Sequence, residues 1–205
     1  MHTLFSSAYF PPVEYLSAWL QAKQPCIDPT EHYRKQSYRT RAVILSGNGQ
    51  LTLTVPVQHP ANHTPVKDVR LDYATPWQRQ HWRGIVSAYN NSPFFLFLQD
   101  FFYPFFEKRY TFLLDLNNDI LQKVLSLLGY QGELLFQEET VLPRQEHDFR
   151  QWIHPRMAVR DDYPWHTQPP YAQVFEDKFG FVPHLSVLDL LFNKGNESAN
   201  YLMSM

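Results

Sequence analysis

The sequence predicts one compact α/β or α+β domain, with an N-terminal sheet that includes a β-hairpin and with a helical C-terminal half. Its length of 205 residues is that of one large domain. Hydrophobic residues make up 44% of the chain and aromatic residues 16%, which is ample for a core. Alternating, strand-like patterns come early, whereas helical spacings dominate after residue 76. We therefore assign residues 1–205 to a single domain.

The first predicted elements are short and are separated by prolines. Residues 4–9 form a predicted strand that Pro11 and Pro12 close. The apolar spacing of residues 13–21 predicts a short helix, and residues 26–28 form a second predicted strand. This strand–helix–strand order is typical of an α/β unit.

A β-hairpin is predicted next. Residues 42–46 are apolar and β-branched, and residues 50–55 alternate between polar and apolar side chains. The Gly-Asn-Gly sequence at 47–49 between them supplies the positive φ angles of a tight turn. No predicted helix follows this turn, so it does not resemble a phosphate-binding loop. Residues 66–73 are predicted to add a third strand to the same sheet.

From residue 76 onward the apolar spacing predicts helices. One begins near Pro76, and Ser92-Pro93 is expected to cap a Phe-rich helix over residues 94–106 that Pro104 kinks or ends. Residues 113–127 form a third helix, stopped by Gly129. A last helix starts near Ser186. Residues 143–170 are rich in Pro, His, Arg and Asp and are predicted to be a long loop.

Composition excludes several functional classes. The net charge of −2 gives no global positive field, so nucleic-acid binding is not expected. The single cysteine, Cys26, excludes an intrachain disulfide and a cysteine-built metal centre. The most apolar stretch is residues 94–106, shorter than the roughly 20 residues that span a bilayer. With no signal-peptide pattern, we expect a cytoplasmic protein without a membrane span. If a large part of the Phe-rich helix is exposed, we expect that surface to be the contact of a homodimer.

The densest polar cluster is the basic block at residues 31–41. It contains four cations, of which Lys35, Arg39 and Arg41 are candidates to hold the phosphate or carboxylate of a small anionic substrate. His32 titrates near neutrality and is a candidate base that Glu31 could orient. The hydroxyl of Tyr38, like Lys35, could stabilise an oxyanion. The alternative is that the block is a solvated charged connector.

A second polar cluster lies on the helix that begins near Pro76. It offers His81 as another candidate base and Gln80 as a candidate substrate contact. A histidine at the border of an apolar stripe is more often a structural hydrogen-bonding group. His59 and His63 have helical spacing, but Pro60 and Pro65 argue against a helix there. We therefore predict no metal site and no cofactor.

The order of several motifs resembles the WbqC-like family of bacteria. The resemblance extends over nearly the whole chain and rests on residues 7–15, 32–41, 53–57, 77–83, 88–89, 92–95, 171–175, 180–181 and 185–193. Thr40 and His184 stand where family members often carry Asn, and Lys194 where they carry an acid.

The resemblance implies a role among the genes for O-antigen and other surface polysaccharides. For some members, transfer of a glycyl or other aminoacyl group onto a sugar has been suggested. The leading interpretation is therefore a cytoplasmic transferase that uses the residues named above. The rival interpretation is a non-catalytic protein that binds a polysaccharide precursor or a partner enzyme, which the many aromatic residues would suit.

Overall fold

A computed structural model describes residues 2–137, 148–155, 165 and 167–205. Its first layer is a small parallel sheet of three strands in the order β1-β2-β5. Strand β1 (Thr3–Phe5) pairs with β2 (Pro25–Ile27), and β2 pairs with β5 (Leu135–Phe136). Helix α1 (Val13–Gln21) makes the crossover from β1 to β2. The predicted strand–helix–strand unit is confirmed.

The predicted hairpin is also present, as a separate two-stranded sheet. Strands β3 (Arg41–Ser46) and β4 (Gly49–Thr54) pair in antiparallel fashion, and Gly49 takes a φ of 102° in the turn. The prediction of a third strand over residues 66–73 is wrong. Val66–Asp68 form a single 3₁₀ turn after Pro65, and Val66 and Val69, three residues apart, are both buried. That spacing suits a 3₁₀ turn and not the two-residue period of a strand.

Four helices follow in the middle of the chain. They are α2 (Trp77–Tyr89), α3 (Phe95–Phe102), α4 (Pro104–Glu107) and α5 (Leu113–Leu127). Helix α3 ends before Pro104, as predicted, and Pro104 begins the separate helix α4. Ser92 does not cap α3, because its Oγ donates to the carbonyl of Tyr89 at 2.7 Å and α3 begins only at Phe95. Gly129, at a φ of 77°, follows α5 as predicted.

Three helices follow Pro170: α6 (Glu176–Phe179), α7 (Val187–Lys194) and α8 (Ser198–Ser204). Ser186 caps α7 by accepting from the amide of Leu188, and its Oγ donates to the carbonyl of Phe10 at 2.9 Å. These bonds join the C-terminal helices to the segment that follows β1. Of the predicted loop over residues 143–170, residues 143–147, 156–164 and 166 lie outside the described residues.

The core is centred on the segment between β1 and the end of α1. Its largest fully buried side chains include Phe5, Tyr9, Phe10 and Trp19. Helices α5 and α7 bury apolar faces in the same cluster. Within the part of the chain that the structure describes, no helix has both the length and the apolar character needed to cross a membrane.

Candidate functional site

A polar pocket lies at the carboxyl ends of the first two parallel strands. Ser6 directly follows β1, and Asp28 directly follows β2. In open α/β sheets, ligands bind in the crevice at this edge. The pocket has a volume of about 380 Å³. Its lining carries charges of both signs and consists of Asp28, Thr30, Glu31, His32, Arg34, Arg39, Arg150 and Gln151.

The innermost charged pair of the pocket is Arg39 with Glu31. The Nε of Arg39 donates to Oε1 of Glu31 at 2.9 Å, and its Nη2 donates to Oε2. Ser6 joins the pair, because its Oγ donates to Oε2 of Glu31 at 3.0 Å and accepts from Nη2 of Arg39 at 2.7 Å. The side chains of Arg39 and Glu31 are only 4% and 7% exposed. Such a bidentate pair fixes both groups in one orientation.

Helix α5 positions this pair from behind. The amide of Asn117 donates to the backbone carbonyl of Arg39 at 2.9 Å and to Oγ of Ser7 at 2.8 Å. Asn117 is buried, so one side chain connects the strand β1 segment with the basic block. The sequence places Ser6 and Arg39 far apart, and this bridge helps to hold them in contact.

Asp28 anchors the opposite wall of the pocket. Its Oδ1 accepts from the amides of Thr30 and Glu31 at 2.9 and 3.1 Å and from the hydroxyl of Thr30 at 2.7 Å. This turn directs the chain from β2 into the pocket wall. The other oxygen of Asp28 accepts from Nη1 of Arg150 at 2.5 Å. Arg150 also makes a bidentate pair with Asp148, at 2.8 and 2.6 Å.

Two carboxyl groups in and beside the pocket, those of Glu31 and Asp148, have shifted pKa values. Burial raises the pKa of Glu31 above its ordinary range, although the charge of Arg39 and the bonds from Arg39 and Ser6 act in the opposite direction. Burial also raises the pKa of Asp148, but the hydrogen bonds and charge of Arg150 outweigh it and hold that pKa below its ordinary value. Burial therefore makes Glu31 easier to protonate than an exposed glutamate.

The structure brings together three of the predicted site residues, Glu31, His32 and Arg39, in this pocket. Lys35 is exposed next to Arg34 but does not line the pocket, and Arg41 opens strand β3. The three cations predicted to bind the anion, Lys35, Arg39 and Arg41, therefore do not converge on one point. Arg39 faces inward to Glu31, because a buried carboxylate needs a counter-charge.

The remaining predicted site residues lie away from the pocket. His81 is buried on α2, where its Nδ1 lies 3.0 Å from the hydroxyl of Tyr9, and burial lowers its pKa to about 4. Tyr38 is buried in the core, and burial, followed by the charge of Glu14, raises its pKa. Gln80 is exposed on α2.

Sequence reasoning missed Ser6, Asp28 and Arg150. The first two fall inside the predicted strands over residues 4–9 and 26–28, and only the structure, in which β1 ends at Phe5 and β2 at Ile27, places them at the carboxyl ends of two parallel strands. Arg150 gave no signal, because it falls in the stretch without a period at residues 143–170. Only the fold places it 2.5 Å from Asp28.

A second buried acid, Asp189, is held by hydrogen bonds between segments of the fold. Its Oδ2 accepts from the hydroxyl of Tyr171 at 2.7 Å and from the amide of Gln173 at 2.9 Å. Burial raises its pKa. These bonds join α7 to the segment before α6. Tyr171, Gln173 and Asp189, which lie in the motifs at residues 171–175 and 185–193, therefore stabilise the fold.

Among the described residues, no group of three or more His, Cys, Asp and Glu side chains is arranged to hold a metal ion. The pocket instead supplies guanidinium groups for an anion and carboxylates for an amine or hydroxyl. It can bind a ligand with charges of both signs and accept a proton from it.

Comparisons with known proteins agree with the sequence resemblance. The model of the WbqC-like protein family matches residues 6–161, which include every residue that lines the pocket. The chain is 27% identical over 195 residues to the uncharacterized protein Rv1507c of Mycobacterium tuberculosis, with 83% of each chain covered. No solved structure matches the chain.

Proposed function

This chain belongs to the WbqC-like protein family, and we propose that it is a transferase of bacterial surface-polysaccharide synthesis. In this proposal it moves an acyl group, such as a glycyl or other aminoacyl group, from an activated donor onto a sugar in the cytoplasm. The family resemblance supports the link with polysaccharides. The pocket around Glu31 supports acyl transfer.

The observation that carries the proposal is the buried Glu31 carboxyl group at the carboxyl ends of two parallel strands. Its pKa is raised by burial, which brings the group closer to the operating pH and strengthens it as a base. Arg39 and Ser6 hold both of its oxygens in place. A base that is fixed in this way needs little reorganisation when a substrate arrives.

In the proposed reaction, a sugar hydroxyl or amino group attacks the acyl carbon of the donor. The new bond forms between the sugar oxygen or nitrogen and that carbon, while the bond from the carbon to the leaving group breaks. Glu31 takes the proton of the attacking group and returns it to the leaving group. Arg34 is an exposed cation of the pocket lining and binds a phosphate or carboxylate of the donor.

The charges of the pocket suit such a donor. An aminoacyl donor carries an ammonium group on its acyl part and a phosphate on many kinds of leaving group. Asp28 and Glu31 supply negative charge and Arg34 and Arg150 supply positive charge within the same 380 Å³. A pocket with one sign of charge would repel one end of this molecule.

A thermal-shift screen with nucleotide sugars, aminoacyl donors and coenzyme A tests the proposal first. A ligand at 100 times its dissociation constant adds about 2.7 kcal/mol of stability. With the donor and acceptor that bind, Glu31→Gln should reduce kcat about 100-fold or more while binding persists, because a base is lost and the shape is kept.

The matched control is Glu133→Gln, which changes an exposed glutamate outside the pocket and should leave kcat unchanged. Circular dichroism checks that each variant is folded. Full turnover by folded Glu31→Gln would overturn the assignment of the base.

A second candidate function is a non-catalytic scaffold for a partner enzyme or for a second copy of the chain. The observation that favours it is the outer face of α3, where Leu96 is 68% exposed and Phe97 is 73% exposed. Large apolar side chains grouped on one helix are typical of contact surfaces. In the scaffold case, none of the screened ligands would shift the unfolding temperature.

A further inference from the structure

Two exposed histidines that are distant in sequence face each other at the rim of the pocket. The Nδ1 atoms of His32 and His63 lie 3.3 Å apart. Their ring centroids are 4.8 Å apart, and the rings are inclined at 69°. His32 lines the pocket described above, so the pair lies at its mouth.

The backbone holds the two imidazoles in this arrangement. His32 and Pro65 form an antiparallel bridge, and the flanking hydrogen bonds from Tyr33 to Thr64 and from Val66 to Glu31 are both 2.9 Å long. A tight turn precedes this bridge, in which both the amide and the hydroxyl of Thr64 donate to the carbonyl of Ala61. His63 has a φ of 62°, in the left-handed region that is uncommon for residues other than Gly but in which Asn, Asp and His are enriched.

The distance between the two nitrogens matches that of two ligands on one tetrahedral ion. Zinc binds histidine nitrogen at about 2.0–2.1 Å, which at a tetrahedral angle places two such nitrogens about 3.3–3.4 Å apart. We propose that His32 and His63 together bind Zn²⁺ through their Nδ1 atoms. In the neutral imidazoles, both Nδ1 lone pairs then point to the ion, and each Nε2 keeps its proton.

The proposed zinc site is open. The described residues bring no third His, Cys, Asp or Glu ligand to the pair, so water or a bound ligand completes the coordination. Zinc sites that keep an exchangeable position polarise a carbonyl or phosphoryl oxygen, whereas closed sites are structural. His32 lines the same pocket as Arg34 and Glu31. Zinc binding itself does not depend on the transferase proposal.

The test is calorimetric titration of the full chain with ZnCl₂. Wild type should bind one ion per chain. In His32→Gln and in His63→Asn the affinity for Zn²⁺ should be at least tenfold lower, which is about 1.4 kcal/mol. Asparagine is chosen at position 63 because it tolerates a positive φ. The double variant should bind little more weakly than either single variant, because the second ligand alone is already ineffective.

His59→Gln is the matched control. His59 is also exposed and lies four residues from His63, but it is not part of the pair. It should leave Zn²⁺ affinity unchanged. Thermal unfolding without metal should be alike in all four variants, because the replaced side chains are exposed.

Three results would overturn the zinc site. They are no measurable Zn²⁺ uptake by wild type, an equal loss of affinity in His59→Gln, and losses that simply add in the double variant. In each case the two imidazoles only share a hydrogen bond. None of these results affects the transferase proposal, whose test measures ligand binding and turnover in variants of Glu31.

Discussion

Replacing Arg39 with methionine should destabilise the protein strongly, because Arg39 is the counter-charge of a buried carboxylate. Its guanidinium donates two bonds to Glu31 and one to Ser6. Methionine fills much of the same volume but has no donor. Of its three hydrogen bonds to Arg39 and Ser6, Glu31 would then keep only the one from the hydroxyl of Ser6, while its side chain is 7% exposed.

Removing one partner of a buried ion pair costs about 3–5 kcal/mol, because the other charge stays uncompensated. We therefore expect Arg39→Met to lose several kcal/mol of unfolding free energy. The double variant Glu31→Gln/Arg39→Met should lose less than Arg39→Met, because no bare charge remains. Lys35→Met is the control, since Lys35 is exposed and its replacement should change stability by no more than about 0.5 kcal/mol.

The effect of Arg39→Met should depend on pH in a definite direction. Arg39 lowers the pKa of Glu31, so the variant raises that already elevated pKa further. An acid with a raised pKa in the folded state destabilises the fold above the pKa it has in the unfolded chain, and this effect disappears as pH falls below that value. The difference between wild type and variant should therefore be largest near neutrality and shrink toward pH 4.

Urea unfolding followed by circular dichroism at several pH values measures these differences. A loss of less than about 1 kcal/mol in Arg39→Met would refute the reasoning, because it falls well below the cost of a broken buried pair. A loss that stays constant between neutral pH and pH 4 would refute the assignment of the cost to the bare Glu31 charge.

Three further predictions concern other parts of the fold. Burial lowers the pKa of His81 to about 4, so the free energy of unfolding should fall by on the order of 3 kcal/mol as pH drops from about 6.5 to about 4. Urea unfolding of His81→Phe should show a weaker loss over the same pH range. Tyr171→Phe removes a hydroxyl that donates to buried Asp189, and it should cost about 1.5–3 kcal/mol in thermal unfolding while raising the pKa of Asp189 further. Phe97→Ser should leave the unfolding free energy unchanged, because this side chain is 73% exposed; if α3 is a dimer contact, light scattering should show wild type as a dimer and the variant as a monomer.

The strongly periodic elements were predictable from the sequence alone. The spacing of residues 13–21 and 113–127 predicted α1 and α5 with the bounds that the structure has. The Gly-Asn-Gly turn predicted the hairpin, and Pro104 predicted the end of α3. In these segments local propensity and tertiary packing favour the same structure.

The prediction of a third strand over residues 66–73 failed because this segment is not paired along its length and makes only isolated bridges at Arg70 and Leu71. Val66, Val69 and Leu71 are buried by contacts with distant elements, which a local pattern does not reveal. The tertiary environment decides the structure of such short apolar segments.

The candidate site was only partly predictable. Glu31, His32 and Arg39 stood out because titratable and basic residues cluster there. The sequence does not show that Arg39 faces inward, because that orientation depends on Glu31 being buried. Nor does it bring Ser6, Arg150 or His63 to the pocket, since each lies more than twenty residues from its partner there, which is Glu31 for Ser6, Asp28 for Arg150 and His32 for His63.

The most direct test of the central claim, that the pocket around Glu31 is the ligand site, compares two neighbouring cations. Arg34 lines the pocket, whereas Lys35 is equally exposed but does not. The measurement is calorimetric titration of wild type, Arg34→Gln and Lys35→Gln with the ligand that gives the largest thermal shift in the screen. Arg34→Gln should weaken binding about 10- to 100-fold, because it removes a charge-assisted contact worth about 1.5–3 kcal/mol, and Lys35→Gln should bind like wild type. Unchanged affinity in Arg34→Gln together with a loss in Lys35→Gln would contradict the account and place the ligand on the outer face of the basic block.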